Sequence, residues 1–201
     1  MKKYCVTISR QFGSLGRPIG MKVAELLGVN FYDRDIVEEA AKRMNLPLAE
    51  ASDLEESGGH IGFSYMRYPL GRSNSETKEK LFEIQASIIR ETAAKESCVI
   101  VGRCSDYLLY GEPDHLNFFI YAPFDDRVKN CIEDLGIERS KAIKMINDVD
   151  KARDAYHKRY TRYPQCNMIY NDFMINSSTL GTEGTAKAIA AIARDRFQLE
   201  Q

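Results

Sequence analysis

The sequence predicts an α/β protein: a parallel sheet held between layers of helices. Two observations predict it. Short apolar runs alternate at least four times with helical patterns along the 201 residues, and the connections are too long for hairpins. One of these runs, Cys98-Val99-Ile100-Val101, is apolar throughout, which suits a strand covered on both faces. In such sheets ligands bind beyond the carboxyl ends of the strands. Chemistry is therefore expected at 9–17, Asp33, 102–106 and Ala122-Pro123.

The elements follow in order. Tyr4 to Ser9 is short, β-prone and mostly apolar, and predicts a first buried strand. A glycine-bearing loop, Arg10 to Pro18, comes next, and Pro18 suits the first turn of a helix. Ile19, Val23, Leu26 and Leu27 recur at helical spacing, and Gly28 is a stop signal. Phe31-Tyr32 predicts a very short second strand ending at Asp33, with a helix over Asp35 to Met44. After a break at Leu46-Pro47 a further helical stretch leads to Ser57–Ser73, where four glycines are mixed with Phe63, Tyr65 and Tyr68. That segment reads as a long loop or insertion. Ser73 and Glu76 suit a capping box for the next helix, whose stripe is Leu81, Ile84 and Ile88 and whose end is near Lys95. Leu116–Tyr121 is a strand-like run, Pro123 opens a helix that Gly136 closes, and 138 to about 162 is a long charged helix. Phe173-Met174-Ile175-Asn176 is the last strand, before a final helix with Ala186, Ile189, Ala190, Ala193 and Phe197 on one face.

Composition excludes several classes. Lys and Arg total 28 against 29 Asp and Glu, so a stable nucleic-acid partner held by bulk charge is not expected. The five cysteines are odd in number and form no CxxC, which argues against a disulfide framework or a zinc knuckle. The expected compartment is the cytoplasm. No apolar run reaches the ~20 residues that span a bilayer, so no membrane partner is expected. His60, His115 and His157 have no metal-ligand spacing and read as surface residues. Cys5 and Cys98 read as small core residues, and Cys104 lies beside the expected site.

The loop after the first strand is a natural phosphate cradle, because glycines let backbone N–H groups converge on a helix N-terminus. The standard phosphate-binding loop reads G-x-x-x-x-G-K-[ST]. Here Gly16 holds the second glycine position and Arg17 the lysine position, while Gln11 and Pro18 replace the first glycine and the Ser/Thr. An ordinary tight strand-to-helix turn is the competing explanation. Arginine keeps the charge and adds a bidentate fork. Loss of the hydroxyl removes the usual protein ligand of Mg²⁺, leaving phosphates, water and a carboxylate elsewhere.

Several segments together resemble the cytidylate kinase-like family of P-loop nucleoside monophosphate kinases. They are Thr7–Arg17, Phe31–Asp35, Val99–Tyr107, Phe119–Pro123 with Arg127, Val149–Arg153 and Ile175–Ser178. Their order and spacing cover nearly the whole chain. The resemblance implies a three-layer P-loop kinase fold with a five-stranded parallel sheet, a helical lid at about 138–170 and an acceptor-binding insertion at about 46–73. It implies ATP and Mg²⁺ as cofactors and small-molecule nucleotides as partners, the metal's protein ligands being left open.

Site roles follow from the same resemblance. Gly13, Ser14, Leu15, Gly16 and Arg17 hold ATP phosphates, and Arg17 and Arg153 are the catalytic cations. Arg103, in a Gly-Arg pair after a buried strand, holds the acceptor's phosphate; a surface arginine in a salt bridge is the alternative. Asp33 meets the acceptor or hydrated Mg²⁺, or else caps the following helix. Cys104 stands where the family carries an aspartate, so Asp106 is the nearest acid on the acceptor side. Lys151, Lys158, Arg159 and Arg162 belong to the lid or to a solvated helix face. Arg67, Tyr65 and Tyr68 are candidates for acceptor contact within the insertion. The expected reaction is phosphoryl transfer from ATP to a nucleoside monophosphate, CMP or dCMP first. The alternative is a nucleotide-binding sensor or scaffold that no longer transfers phosphate.

Overall fold

The computed structural model describes residues 3–48 and 75–199. Five strands alternate with helices. They run β1 (Cys5–Arg10), α1 (Gly16–Leu27), β2 (Asn30–Tyr32), α2 (Arg34–Met44), α3 (Ser75–Lys95) and β3 (Cys98–Val101). Then come α4 (Ser105–Leu108), β4 (His115–Tyr121), α5 (Phe124–Leu135), α6 (Arg139–Thr161), β5 (Phe173–Asn176) and α7 (Ser177–Phe197). The sheet order is β2-β3-β1-β4-β5 and every pairing is parallel.

Strand parity divides the core. Val6 and Ile8 of β1 and Val99 and Val101 of β3 face one way, packing with Ile19 and Val23 of α1 and Ile189 of α7. Cys5, Cys98 and Ile100 face the other way, against Ile36 and Ala40 of α2 and Ile89 of α3. Burial on both faces is why β3 carries four apolar residues in succession. A smaller core of Val128, Cys131, Ala142 and Ile146 joins α5 to α6 and receives Phe12 from the loop after β1.

Local signals place most boundaries. α3 ends at Lys95 and β5 spans the four residues expected. α1 begins at Gly16, two residues before Pro18. Asn176 caps α7 through its side chain, which accepts from Ser178 N–H at 3.0 Å, and the helix is interrupted at Gly181. The proposed insertion, with Tyr65, Arg67, Tyr68, His60 and the Ser73 cap, lies outside the described residues except for 46–48. No helix among the described residues is long and apolar enough to cross a membrane.

Two of the histidines correct the sequence expectation. His157 is fully buried, its Nε2 2.7 Å from Asp106 Oδ2 and its Nδ1 2.8 Å from the Tyr163 carbonyl. His115 is half-buried, with Nε2 2.7 Å from Thr7 Oγ1. Both lie in polar networks that join distant segments, which sequence spacing does not reveal.

Candidate active site

The loop between β1 and α1 is held by its carbonyls. Ser14 Oγ donates to Gln11 O at 2.9 Å and Ile120 O at 3.1 Å. Arg127 Nη1 donates to Phe12 O at 3.2 Å, Asn130 Nδ2 to Gly13 O at 2.8 Å, and Ser177 Oγ to Ser14 O at 2.8 Å. In a planar trans peptide the following N–H points opposite to the carbonyl, and there are no cis bonds among the described residues. The N–H groups of Gly13, Ser14 and Leu15 are thus directed away from α5 and the start of α7. Gly16 and Arg17 add first-turn amides that have no intrahelical acceptor. That first turn carries no acidic residue, and Leu15 supplies no side-chain cap. It is therefore the positive end of a helix dipole.

Two positions need unusual backbone. Gly13 has φ 76°, and a Cβ there would come within 2.8 Å of Arg127 O. Leu15 takes φ 61° without being glycine, at a cost of about 1–2 kcal/mol. Outside the loop Asp150 of α6 closes the clasp. Its Oδ1 accepts from Phe12 N–H at 2.7 Å and its Oδ2 pairs with Arg127.

Four arginines gather at this edge of the sheet. Arg17 Nε donates to Asp33 Oδ2 at 2.8 Å, and Asp33 is buried at the N-cap position of α2 with no side-chain cap hydrogen bond. Its carboxylate thus serves Arg17 rather than the helix end. Arg153 reaches back from α6, Nη1 donating to Arg10 O at 3.3 Å with its guanidinium over the Phe12 ring. Arg103 leaves β3 in a run of three left-handed residues, with φ 78° at Gly102, 58° at Arg103 and 53° at Cys104. Such strain concentrates at functional sites. Arg10 is the fourth. Burial pushes its pKa well below the usual arginine value, as do the charges of Arg153, Arg103 and Arg17, with Asp33 opposing.

The expected residues divide accordingly. Gly13, Leu15, Gly16, Arg17, Asp33, Arg103 and Arg153 come together at the ends of β1, β2 and β3 and the facing side of α6. Asp106 is a correction: it is 2% exposed and bound to His157, so its carboxylate is withdrawn from any acceptor. Ser14 takes part in the loop through its N–H, while its hydroxyl is fully buried and braces the turn. Among the lid cations, Lys158 pairs with Asp154 at 2.8 Å and Arg159 with Glu79 of α3 at 2.6 Å. Lys151 and Arg162 are exposed. Tyr160 stacks on Phe82 at 3.8 Å and Tyr163 on Tyr170 at 3.9 Å, so these tyrosines serve packing. Cys104 is buried. Sequence reasoning missed Arg10 and the Arg127–Asp150 clasp. The available signal for Arg10 was its parity with Ile8 on a strand that ends at a glycine loop.

Residues 5–179 match the sequence profile of the cytidylate kinase-like family. The chain belongs to that family. Among curated proteins none matches the sequence. Solved structures do. An uncharacterized protein from Eubacterium ventriosum is 22% identical with a TM-score of 0.70, the match covering 98% of this chain and 100% of that one. A shikimate kinase from Acinetobacter baumannii, in complex with shikimate, is 14% identical with a TM-score of 0.51 and coverage of 99% and 97%. A gluconokinase from Sinorhizobium meliloti is 11% identical with a TM-score of 0.53 and coverage of 99% and 100%. At these identities the likeness establishes the fold. This cytidylate kinase-like chain has the three-layer fold of P-loop kinases around its five-stranded parallel sheet.

Proposed function

We propose that the chain transfers the γ-phosphoryl group of ATP to a nucleoside monophosphate, with CMP or dCMP the first acceptors to test. The observation that carries this is the loop after β1. Its carbonyls are tied to α5 and α7, which directs its amides away from those helices, and the arginines around Arg10 gather beside it at the sheet's edge. Amides and guanidinia converging on one place suit phosphate oxygens.

Gly13, Ser14, Leu15, Gly16 and Arg17 are assigned to the donor phosphates, through amides and the Arg17 guanidinium. Arg103 is assigned to the acceptor phosphate and Arg153 to the transferring group. An acceptor phosphate oxygen forms the new bond to the γ-phosphorus. The bond from that phosphorus to the bridging oxygen breaks, leaving ADP and a nucleoside diphosphate. A phosphate dianion needs no general base, so the protein's work is alignment, charge stabilisation and exclusion of water. Asp150 and Arg153 bring α6 to the loop, in keeping with the lid assigned to about 138–170.

Mg²⁺, when bound with ATP, supplies charge neutralisation across the phosphates. Among the described residues no group of three or more His, Cys, Asp and Glu forms a metal site. Pro18 offers no hydroxyl, and Asp33 is the carboxylate at hand. These residues fit an ion that arrives on the nucleotide.

A coupled assay for ADP, run with Mg²⁺ and a panel of monophosphates, shikimate and gluconate, tests the proposal. ADP formation that depends on a nucleoside monophosphate is expected. Dependence on a neutral-headed sugar or a carboxylate acceptor contradicts it. Nucleotide binding without turnover favours a sensor or scaffold module, the reading that Pro18 supports.

A further inference from the structure

We propose that Arg10 is itself a ligand of the bound phosphate, at the seam between the donor loop and the Gly102-Arg103 turn, and makes the site selective for multiply charged anions. The proposal rests on the phosphoryl-transfer reading only in taking the anion to be a phosphate.

Arg10 ends β1 on the face that Val6 and Ile8 make apolar. Its stem runs beneath the first residue of α1. A Cβ on Gly16 would stand 2.5 Å from Arg10 Cβ and 2.8 Å from its Cγ. Its guanidinium ends against the turn after β3, where a Cβ on Gly102 would collide with Nη1 and stand 3.4 Å from Cζ. Glycine at each of two anion-facing turns thus leaves room for this one arginine. The arginine spans from one turn to the other because β3 pairs directly with β1.

Its electrostatic setting is unlike that of a structural arginine. A buried guanidinium that serves packing is ordinarily matched by a carboxylate. Here three other guanidinia, of Arg153, Arg103 and Arg17, act on Arg10. The opposing carboxylate, Asp33, already gives its Oδ2 to Arg17. Arginine does not relieve such crowding by losing its proton at neutral pH. Among the described residues the carboxylate acting on Arg10 is thus shared with Arg17, and a polyanion seated at the Arg10 fork offsets the guanidinia around it.

The test uses the full chain, with Arg10→Met, which keeps the stem under Gly16, and Arg10→Lys, which keeps the charge and loses the fork. The probes are inorganic phosphate and pyrophosphate, with potassium chloride at matched ionic strength as the control. Calorimetry should show pyrophosphate binding weakened about tenfold or more in Arg10→Met, with a smaller loss in Arg10→Lys. Without anion, Arg10→Met should melt at or above the wild type, because a like charge has left the cluster. The rise in melting temperature that pyrophosphate gives the wild type should shrink.

A drop in melting temperature in Arg10→Met, with wild-type pyrophosphate affinity, would overturn the assignment in favour of packing. If Arg10→Met does not fold, wild-type affinity in Arg10→Lys overturns it, and weakened affinity there supports it. Failure of the wild type to bind pyrophosphate also overturns it. Pyrophosphate binding that depends on Arg10, in a protein forming no ADP with any monophosphate, supports this assignment and rejects the transferase reading. Monophosphate-dependent ADP formation with Arg10 variants of unchanged affinity does the reverse.

Discussion

Removing the Asp150 carboxylate should loosen the donor loop and destabilise the whole chain. Asp150 makes two contacts that the structure separates cleanly. Its Oδ1 accepts from Phe12 N–H at 2.7 Å, and its Oδ2 pairs with Arg127, whose side chain is 8% exposed. A hydrogen bond to a charged group contributes about 1.5–3 kcal/mol. Breaking a fully buried ion pair costs about 3–5 kcal/mol, because the other charge is stranded. Asp150 is 28% exposed, so water partly replaces it and the low end applies. Asp150→Ala should therefore cost about 3 kcal/mol. For a chain of this size that lowers the melting temperature by about 6–12 °C. Asp150→Asn keeps an acceptor for Phe12 and should lose about 1.5–2 kcal/mol. Urea unfolding of both variants, in a double-mutant cycle with Arg127→Met, measures the pair directly, and a coupling of at least about 1 kcal/mol is expected. Asp150→Ala within about 0.5 kcal/mol of the wild type, with no coupling, would refute the clasp.

His115 and His157 give the stability curve opposite limbs. Burial pushes His115 down to about 4, against the opposing charges of Asp172 and Asp106. The unfolded chain, with a value near ~6.5, then takes up the proton first, and about 3 kcal/mol is lost as pH falls from ~6.5 to ~4. Urea melts across that range should show this limb in the wild type and not in His115→Gln. For His157 burial opposes the charge, but the hydrogen bond and charge of Asp106 outweigh it and raise the pKa. Its contribution is complete below ~6.5 and disappears as pH climbs through the raised folded value. His157→Gln should cost about 3 kcal/mol at pH 6 by stranding Asp106, and a loss that does not shrink at higher pH contradicts the pairing. Arg17→Ala should reduce ATP affinity or turnover by about tenfold or more, or about 1.4 kcal/mol. Unchanged kinetics reject its role. Arg103→Ala should weaken the acceptor more than ATP in steady-state kinetics, and equal losses count against an acceptor assignment.

The parts legible in the sequence were those set by local pattern. The apolar run of β3, the stop at Lys95 and the bounds of β5 follow from periodicity and end signals within a few residues. The loop's place after β1 was legible for the same reason. What the sequence concealed depends on neighbours far along the chain. Asp106 lies 51 positions from His157, and only the packing of α4 against the end of α6 makes them partners. The bracing role of the Ser14 hydroxyl is hidden for the same reason, since it donates to the carbonyls of Gln11 and of Ile120, 106 positions away. Arg10 could not be assigned until the sheet order put β3 beside β1, since its guanidinium lies across the boundary between them.

The most direct test is a crystal structure of the chain grown with pyrophosphate. The account predicts density within hydrogen-bonding distance of the Gly13, Ser14, Leu15 and Gly16 amides, with guanidinium contacts from the surrounding arginines. Pyrophosphate seated elsewhere, or an ordered structure that leaves those amides without it at saturating concentration, would contradict it.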